Sequence, residues 1–446
     1  MTESARISAI REAFPSEGLF RDKEWRMSPR ALGLPPEIVR AIEALGPALR
    51  AFQVACNALY FESAEAPNAM RGWVAKLLDQ GKPQSLIELG REQRWRDDLP
   101  RVIRPDLVLT DTGLCLAEID SLPGGMGLTA WLNATYAAFG DEVIGGAEGM
   151  IEGFAAAYPE HDVLVSTECA DYEPEMRWLM ARAAPHRHVH RTAELTPSSI
   201  LHPPPSTFAP PPPSFYRFFE LFDLANVEHS ADWLRLAREG FLQLTPPLKP
   251  HLEEKLWLAL FWSPSLADYW LAALGSEHVV LLRAVIPQGW VVDPARLPPT
   301  AVYPGLDLHA WAEAKAFGHK ARELVLKISG YSELGWGSRG VFIGHDLSRE
   351  AWAAALDDAL ASFPHHPYVL QRFQAGRVMH HPSWNEAAGV AVDMQARVRL
   401  CPYYFVPAAS PTALPALSGV LATVCPADKK ILHGMRDAML LPCVEE

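Results

Sequence analysis

Arg104, Asp106, Glu118 and Asp120 place a guanidinium and three carboxylates within one short stretch of chain. Two apolar runs carry them, Leu107, Val108 and Leu109 in the first and Leu114, Leu116 and Ile119 in the second. Between the runs lie Asp111, Thr112 and Gly113, residue types suited to a tight hairpin turn. The stretch therefore reads as an antiparallel pair of strands. Side chains alternate along a strand, so Glu118 and Asp120 share one face and Cys115 and Ile119 take the other. Asp106, from the partner strand, can join the two carboxylates. Hard oxygen donors of this kind suit a Mg²⁺ that keeps part of its water shell and completes its ligands with phosphate oxygens. The plainer alternative is a polar strand face with turn residues.

A second constellation lies far downstream. The run Leu324–Ile328 delivers Lys327, and the segment after it carries Gly330, Gly335, Trp336, Gly337, Ser338 and Gly340 before Val341, Phe342 and Ile343. Glycines let backbone N–H groups approach an anion, and the lysine supplies opposite charge. No Gly-Lys-Ser/Thr opens a helix here, so this is neither a P-loop nor a dinucleotide fingerprint. A β-hairpin with a Gly-rich tip can close over phosphates from above; a loose surface hairpin is the rival. Tyr368 to Phe373, with Gln371, reads as a short strand. Asp393 to Val406 reads as a longer one, on which Arg397 and Arg399 share a face suited to phosphate or carboxylate. Two solvated arginines are the duller alternative.

These groups need elements to hold them. Residues 1–99 read as mainly helical, with helical spacing after Pro36 and again from Ala69 to Leu78. Residues 100–140 contain the acidic hairpin and a helix from Leu128 to Phe139. Residues 141–215 read as a small α/β layer: a strand from Asp162 to Ser166, a helix from Glu173 to Ala184 and a return at Val189. The prolines at 203–205 and 210–213 make a stiff connection and a boundary. Residues 216–446 open with a helical stretch from Leu248 to Leu274, followed by strand-like runs at Val279–Ile286 and Trp290–Val292. His186, His188 and His190 alternate, but Arg187 and Arg191 beside them disfavour a bound cation, leaving a solvated basic strand.

The chain has 446 residues, 49% hydrophobic and 21% charged, an ordinary globular composition that calls for two or three packed subdomains. A formal charge of −13 argues against a nucleic-acid partner, whose phosphates need Lys and Arg. No apolar run of ~18 residues suits a membrane span, and the first residues lack a basic, then apolar, leader. The six cysteines show no CxxC spacing, and a reducing cytoplasm is the simplest expectation.

Taken together, the two constellations resemble the ATP-grasp superfamily. The series Arg104, Asp106, Asp111, Gly113 and then Glu118 through Pro123 and Gly124 resembles the D-alanine–D-alanine ligase ending, an Asp strand followed by Glu-x-Asn-x-x-Pro-Gly. Here that ending precedes Lys327 and the Gly-rich loop. This order is similar to circularly permuted ATP-grasp proteins such as the synthetase part of glutathionylspermidine synthase. The resemblance implies an α/β (α+β) fold of permuted ATP-grasp order, with a helical N-terminal region and a small α/β layer. It implies ATP and Mg²⁺ as cofactors, with Asp106, Glu118 and Asp120 on the metal. Asp120 stands where the ligases carry Asn, which leaves the number of metal ions open. Lys327 would contact the phosphates, Gly335 to Gly340 would cover them, and Gln371 would lie near the base. Lys255 is the candidate second nucleotide lysine, with Lys249, Lys315 and Lys320 as competitors. Arg104, Arg397 and Arg399 would neutralise transferring charge.

The implied reaction joins a small-molecule carboxylate to an amine (or peptide) through an acyl phosphate. Its rivals are phosphotransfer or another ligation on the same scaffold, and a nucleotide-binding structural partner without turnover. Upstream of the hairpin there is Cys56 but no histidine, so no attached amidase is expected. Nothing in the sequence fixes the oligomeric state.

Overall fold

The structure, a computed structural model, describes residues 1–15, 25–196, 212–335, 339–434 and 437–446. Numbered along the chain, the first strands are β1 (Leu32–Leu34), β2 (Val102–Thr110) and β3 (Gly113–Asp120). A second group is β4 (His161–Val165), β5 (Val189–Arg191), β6 (Ser214–Phe218) and β7 (Gln243–Thr245). A third is β8 (Gly289–Val292), β9 (Leu324–Ile328), β10 (Val341–Ile343) and β11 (Tyr368–Arg372). The last is β12 (Met379–Asn385), β13 (Val390–Phe405), β14 (Ala416–Pro426) and β15 (Met439–Glu445).

Three sheets result. The largest joins the first and last groups in the order β1-β15-β14-β13-β2-β3, with β12 also on β13. All its pairs are antiparallel except β1 with β15. A parallel sheet runs β5-β4-β6-β7, and an antiparallel one runs β10-β9-β11-β8. The parallel sheet continues past the boundary expected near 215, because β6 starts at Ser214 and pairs with β4.

The long helix Pro36–Glu65 begins with proline at its first turn, where the missing N–H costs nothing. Its buried Ile38, Ile42, Leu45, Leu49, Phe52, Cys56 and Leu59 form one apolar stripe. That stripe joins the main core with Leu107, Leu109, Leu400 and Val424 of the large sheet. Gly46 permits the approach: a Cβ there would lie 2.6 Å from the Tyr404 ring. A smaller core, with Trp290, Trp311, Leu326, Trp352 and Leu370, lies against the β8–β11 sheet.

One expected strand is a helix. Val279 to Val285 ends the helix Ala267–Val285, because Val279, Leu282 and Val285 are buried three residues apart while Val280 is 68% exposed. β-Branched composition suggested a strand, but the burial stripe has the helical period. The helix Met126–Ala137 starts from Gly125 at φ 80°, a conformation that favours glycine. Among the described residues no helix is long and apolar enough to cross a membrane, and all six cysteines are unpaired and buried.

Candidate functional site

The hairpin of β2 and β3 closes through Asp111 and Thr112, with Thr110 opposite Gly113. Arg104 faces Asp120 and Asp106 faces Glu118, but Leu107 faces Leu116, so Ala117 is an extra residue, a β-bulge. The bulge corrects one expected orientation. Cys115 lies opposite Val108, in phase with Asp106, and therefore shares the face of Glu118 instead of that of Ile119. Burial pushes the Cys115 thiol up to about 11, against the opposing charge of Lys327.

Asp106 is buried, and both its oxygens are engaged. Oδ2 accepts from Arg399 Nη1 at 2.8 Å, while Oδ1 lies 3.2 Å from Arg104 Nη2 and 3.3 Å from Cys401 Sγ. Burial alone would raise its pKa, but Arg399 and Arg104 outweigh it and hold the carboxyl below the usual aspartate range. Arg104 also pairs with Asp120 and donates to the Gly124 carbonyl at 3.0 Å, which Tyr403 Oη meets at 2.7 Å. Asp120 is shifted the other way: burial raises it, Asp106 and Glu118 add to the rise, and Arg104 opposes.

The lysines reach the hairpin from the opposite side. Lys255, just before the helix Leu256–Leu260, places Nζ 3.2 Å from Glu118 Oε2 and donates to the Gly335 carbonyl at 3.1 Å. Burial works against its charge, but Glu118, Asp120 and Glu220 more than compensate, so its pKa rises. Lys327, on β9, donates to the carbonyl of Ala117 at 2.9 Å, the residue the bulge sets out of register. Its pKa is lowered, chiefly by burial, with Glu118 opposing.

Between these elements lies a cavity of about 1000 Å³, lined by Arg104, Asp106, Glu118, Asp120, Lys255, Gly335 and Arg399 among others. Lys327 and Gln371 do not line it. Both occupy one face of the β8–β11 sheet, since Lys327 opposes Val369 and Gln371 stands two residues further along β11. Gln371 is buried with Nε2 unpartnered. Arg397 is not brought to the cavity: Nε donates to the Ala427 carbonyl at 2.7 Å, and Nη1 binds the Gly376 carbonyl.

The Gly-rich segment is fixed at its stems. A Cβ at Gly330 would sit 1.7 Å from the Glu253 carbonyl oxygen, and one at Gly340 would lie 2.5 Å from Ile328 Cγ2. Glu254 accepts from the Gly330 N–H at 3.2 Å and binds the Ser329 hydroxyl and the fully buried Lys82 ammonium. Trp336, Gly337 and Ser338 lie outside the described residues. Gly340 is described, as part of the far stem.

Several lining residues escaped the sequence reading. Glu253 and Glu254 adjoin Lys255, so adjacency was a usable signal. Glu220 had none: it follows β6, and its Oε2 accepts from Ser121 Oγ at 3.0 Å. Burial, Glu253 and Asp120 push its pKa well above the usual value, with Arg217 opposing. Glu175 caps the helix Met126–Ala137, accepting from the N–H groups of Gly125 at 2.7 Å and Leu128 at 3.1 Å. Among the described residues no cluster of three or more His, Cys, Asp or Glu forms a ready metal cage. Glu118, Asp120 and Asp106 nonetheless line the cavity together as hard oxygen donors; both oxygens of Asp106 carry contacts, and so do those of Asp120, whose Oδ1 accepts from the Leu122 N–H at 3.0 Å and whose Oδ2 pairs with Arg104. The histidines at 188 and 190 serve Asp162, which accepts from the His188 N–H and lies 3.0 Å from His190 Nε2.

No protein-family model matches the chain, and no curated protein does. Among solved structures, a putative gamma-glutamylcysteine synthetase from Methylobacillus flagellatus KT is 10% identical, with TM-score 0.39 and 88% of each chain covered. A glutathione synthetase-like effector from Globodera pallida, in its apo form, is 12% identical, with TM-score 0.54, covering 100% of this chain and 97% of its own. The chain thus shares, along its whole length, the mixed α/β fold of a glutathione synthetase-like protein.

Proposed function

We propose that the chain is an ATP-dependent carboxylate–amine ligase working through an acyl phosphate, with the ATP-grasp elements in permuted order. One observation carries this reading: Glu118 and Asp120 meet Lys255 and the stem of a Gly-rich hairpin in a single cavity. Carboxylates on one wall and a lysine on the other suit a magnesium-bound polyphosphate. The shared fold of a glutathione synthetase-like protein is compatible with it.

On this reading Glu118 and Asp120 hold Mg²⁺, which when bound supplies neutralisation of phosphate charge. Lys255 leaves Glu118 for a phosphate oxygen as nucleotide enters, and Lys327 adds a second cation. Arg104 and Arg399 are held in place by Asp106 and stabilise charge that develops on the transferring group. Asp106 thereby positions both guanidiniums and stands beside Glu118 and Asp120 as the third candidate metal ligand. Gln371 and the β8–β11 face receive the base. The Gly-rich hairpin keeps water from the acyl phosphate, which would otherwise hydrolyse before the amine attacks.

Calorimetric titration of Mg-ATP into wild type, Lys255→Ala, Lys327→Ala and Glu118→Ala tests the site. Saturable binding that each variant weakens is expected, followed by ADP release only when a carboxylate and an amine are both present. Removing one charge-neutralising group should cost roughly 2.7–4 kcal/mol of barrier, by analogy with oxyanion-donor deletions. Folded wild type that fails to bind Mg-ATP would refute the reading, and ADP release indifferent to amine would favour phosphotransfer.

A further inference from the structure

A second cavity, of about 610 Å³, opens at the β8 edge of the small antiparallel sheet and shares no lining residue with the first. Its size falls within the roughly 300–1,000 Å³ of small-molecule pockets. Its walls are aromatic, with Trp73, Trp262, Trp290, Tyr303 and Phe363 among the lining residues. The indole N–H groups of Trp262 and Trp290 are already spent on the carbonyls of Ile286 and Pro304, at 3.2 and 3.0 Å, so these residues offer only ring surface.

Two of the lining residues, Tyr303 and Gln80, carry side-chain polar atoms without a partner, and a third, Asp293, is a carboxylate. Tyr303 is 9% exposed and packed against Trp311 at a ring separation of 4.2 Å, yet its Oη has no partner. Gln80 Oε1 is buried and also has none. Asp293 accepts the Ala295 N–H at 2.7 Å through Oδ1, while burial raises its pKa. Buried polar atoms left without partners are costly; the Gln80 oxygen and the Asp293 carboxylate accept from N–H donors, while the Tyr303 hydroxyl can both donate and accept. Lys76 is the one cation among the lining residues, and Asp293 opposes an anionic guest.

We infer that this cavity is a second ligand site, taking a flat aromatic amine or amidine that lacks phosphate. Its ring fills the space between the aromatic walls, and its N–H edge meets Gln80, Asp293 and the Tyr303 hydroxyl. The site also adjoins two residues assigned to nucleotide, Lys255 and Gln371. Ala259 and Leu260 line it from the helix that begins just after Lys255, and Gly289 lines it from the strand against which Gln371 packs, where a Cβ would lie 3.1 Å from Gln371 Cγ. Occupancy therefore bears on two residues assigned to nucleotide, a consequence that rests on the proposed function, whereas binding itself does not.

The test is calorimetric titration of 2-aminoquinoline into the full-length protein. Saturable one-to-one binding is expected, unchanged in Lys327→Ala and weakened at least fivefold by Tyr303→Phe and by Gln80→Leu. Tyr303→Phe keeps the packed ring and removes only the hydroxyl. Absence of saturable binding overturns the inference, as does wild-type affinity in both cavity variants. A protein that binds 2-aminoquinoline in this pattern but not Mg-ATP would keep the second site and lose the ligase.

Discussion

Substituting Asp106 by Asn separates an anchoring role from a metal-ligand role. The Asp106 side chain is 3% exposed, and its two guanidinium partners, Arg104 and Arg399, are 12% and 20% exposed. Breaking a buried ion pair from one side costs about 3–5 kcal/mol, because the remaining charge stays buried without its counterion. Asparagine retains one acceptor oxygen, and Arg104 keeps its contact with Asp120. The lower end, roughly 3 kcal/mol, is therefore expected, or about two orders of magnitude in the folding equilibrium. The assay is urea unfolding followed by tryptophan fluorescence, in EDTA and without nucleotide, so that no metal contributes. The folded-state pKa of Asp106 is depressed, so its contribution is present above the ordinary aspartate value of about 3.9 and fades as pH falls through the lower folded value. The gap between wild type and variant should accordingly close in acid. Unchanged stability in EDTA together with weakened Mg²⁺ binding would refute the anchoring role and leave only the metal-ligand role.

Lys82→Met leaves Glu254 charged and buried and should cost about 3–5 kcal/mol, with most of that recovered in Lys82→Met/Glu254→Leu when thermal unfolding is compared. Gly330→Ala drives a methyl group into the Glu253 carbonyl and displaces the loop stem; calorimetry should show at least tenfold weaker Mg-ATP binding with the circular dichroism spectrum preserved. Glu220 has a raised folded-state pKa, so it contributes stability at low pH that is lost as pH rises through that value. Glu220→Gln should then be more stable than wild type in alkaline urea titrations, with the difference vanishing in acid. Burial lowers the pKa of Lys327, so Mg-ATP affinity should fall on the alkaline side before an ordinary lysine would titrate, and Lys327→Arg should move that fall to higher pH.

The acidic hairpin was legible because alternation and turn chemistry are local: the turn survives in the fold, and so does the shared face of Glu118 and Asp120. The bulge at Ala117 was not, since an inserted residue looks like any other until the partner register is known, and it moved Cys115 to the opposite face. Strand alternation correctly put Arg397 and Arg399 on one face, yet only Arg399 reaches the cavity. Arg397 lies where the Gly376 and Ala427 carbonyls close around it, a matter of distant loops. Val279 to Val285 misled because composition outweighed period over a short window. Glu175, Glu220 and Lys82 enter the site region only through tertiary packing, which no spacing along the chain foretells.

The large sheet also has consequences for biosynthesis. β2 pairs on one side with β3, formed immediately after it, and on the other with β13, which starts only at Val390, while β1 waits for β15. During synthesis the outer edge of β2 and the whole of β1 stay unpaired while most of the chain is still being made. Free strand edges recruit other strands, so these two edges are where misassociation of nascent chains is expected until the late strands emerge. Products that stop before β13 would carry the acidic hairpin and, if long enough, Lys327, yet lack the strand that supplies Arg399 and leave the outer edge of β2 unpaired.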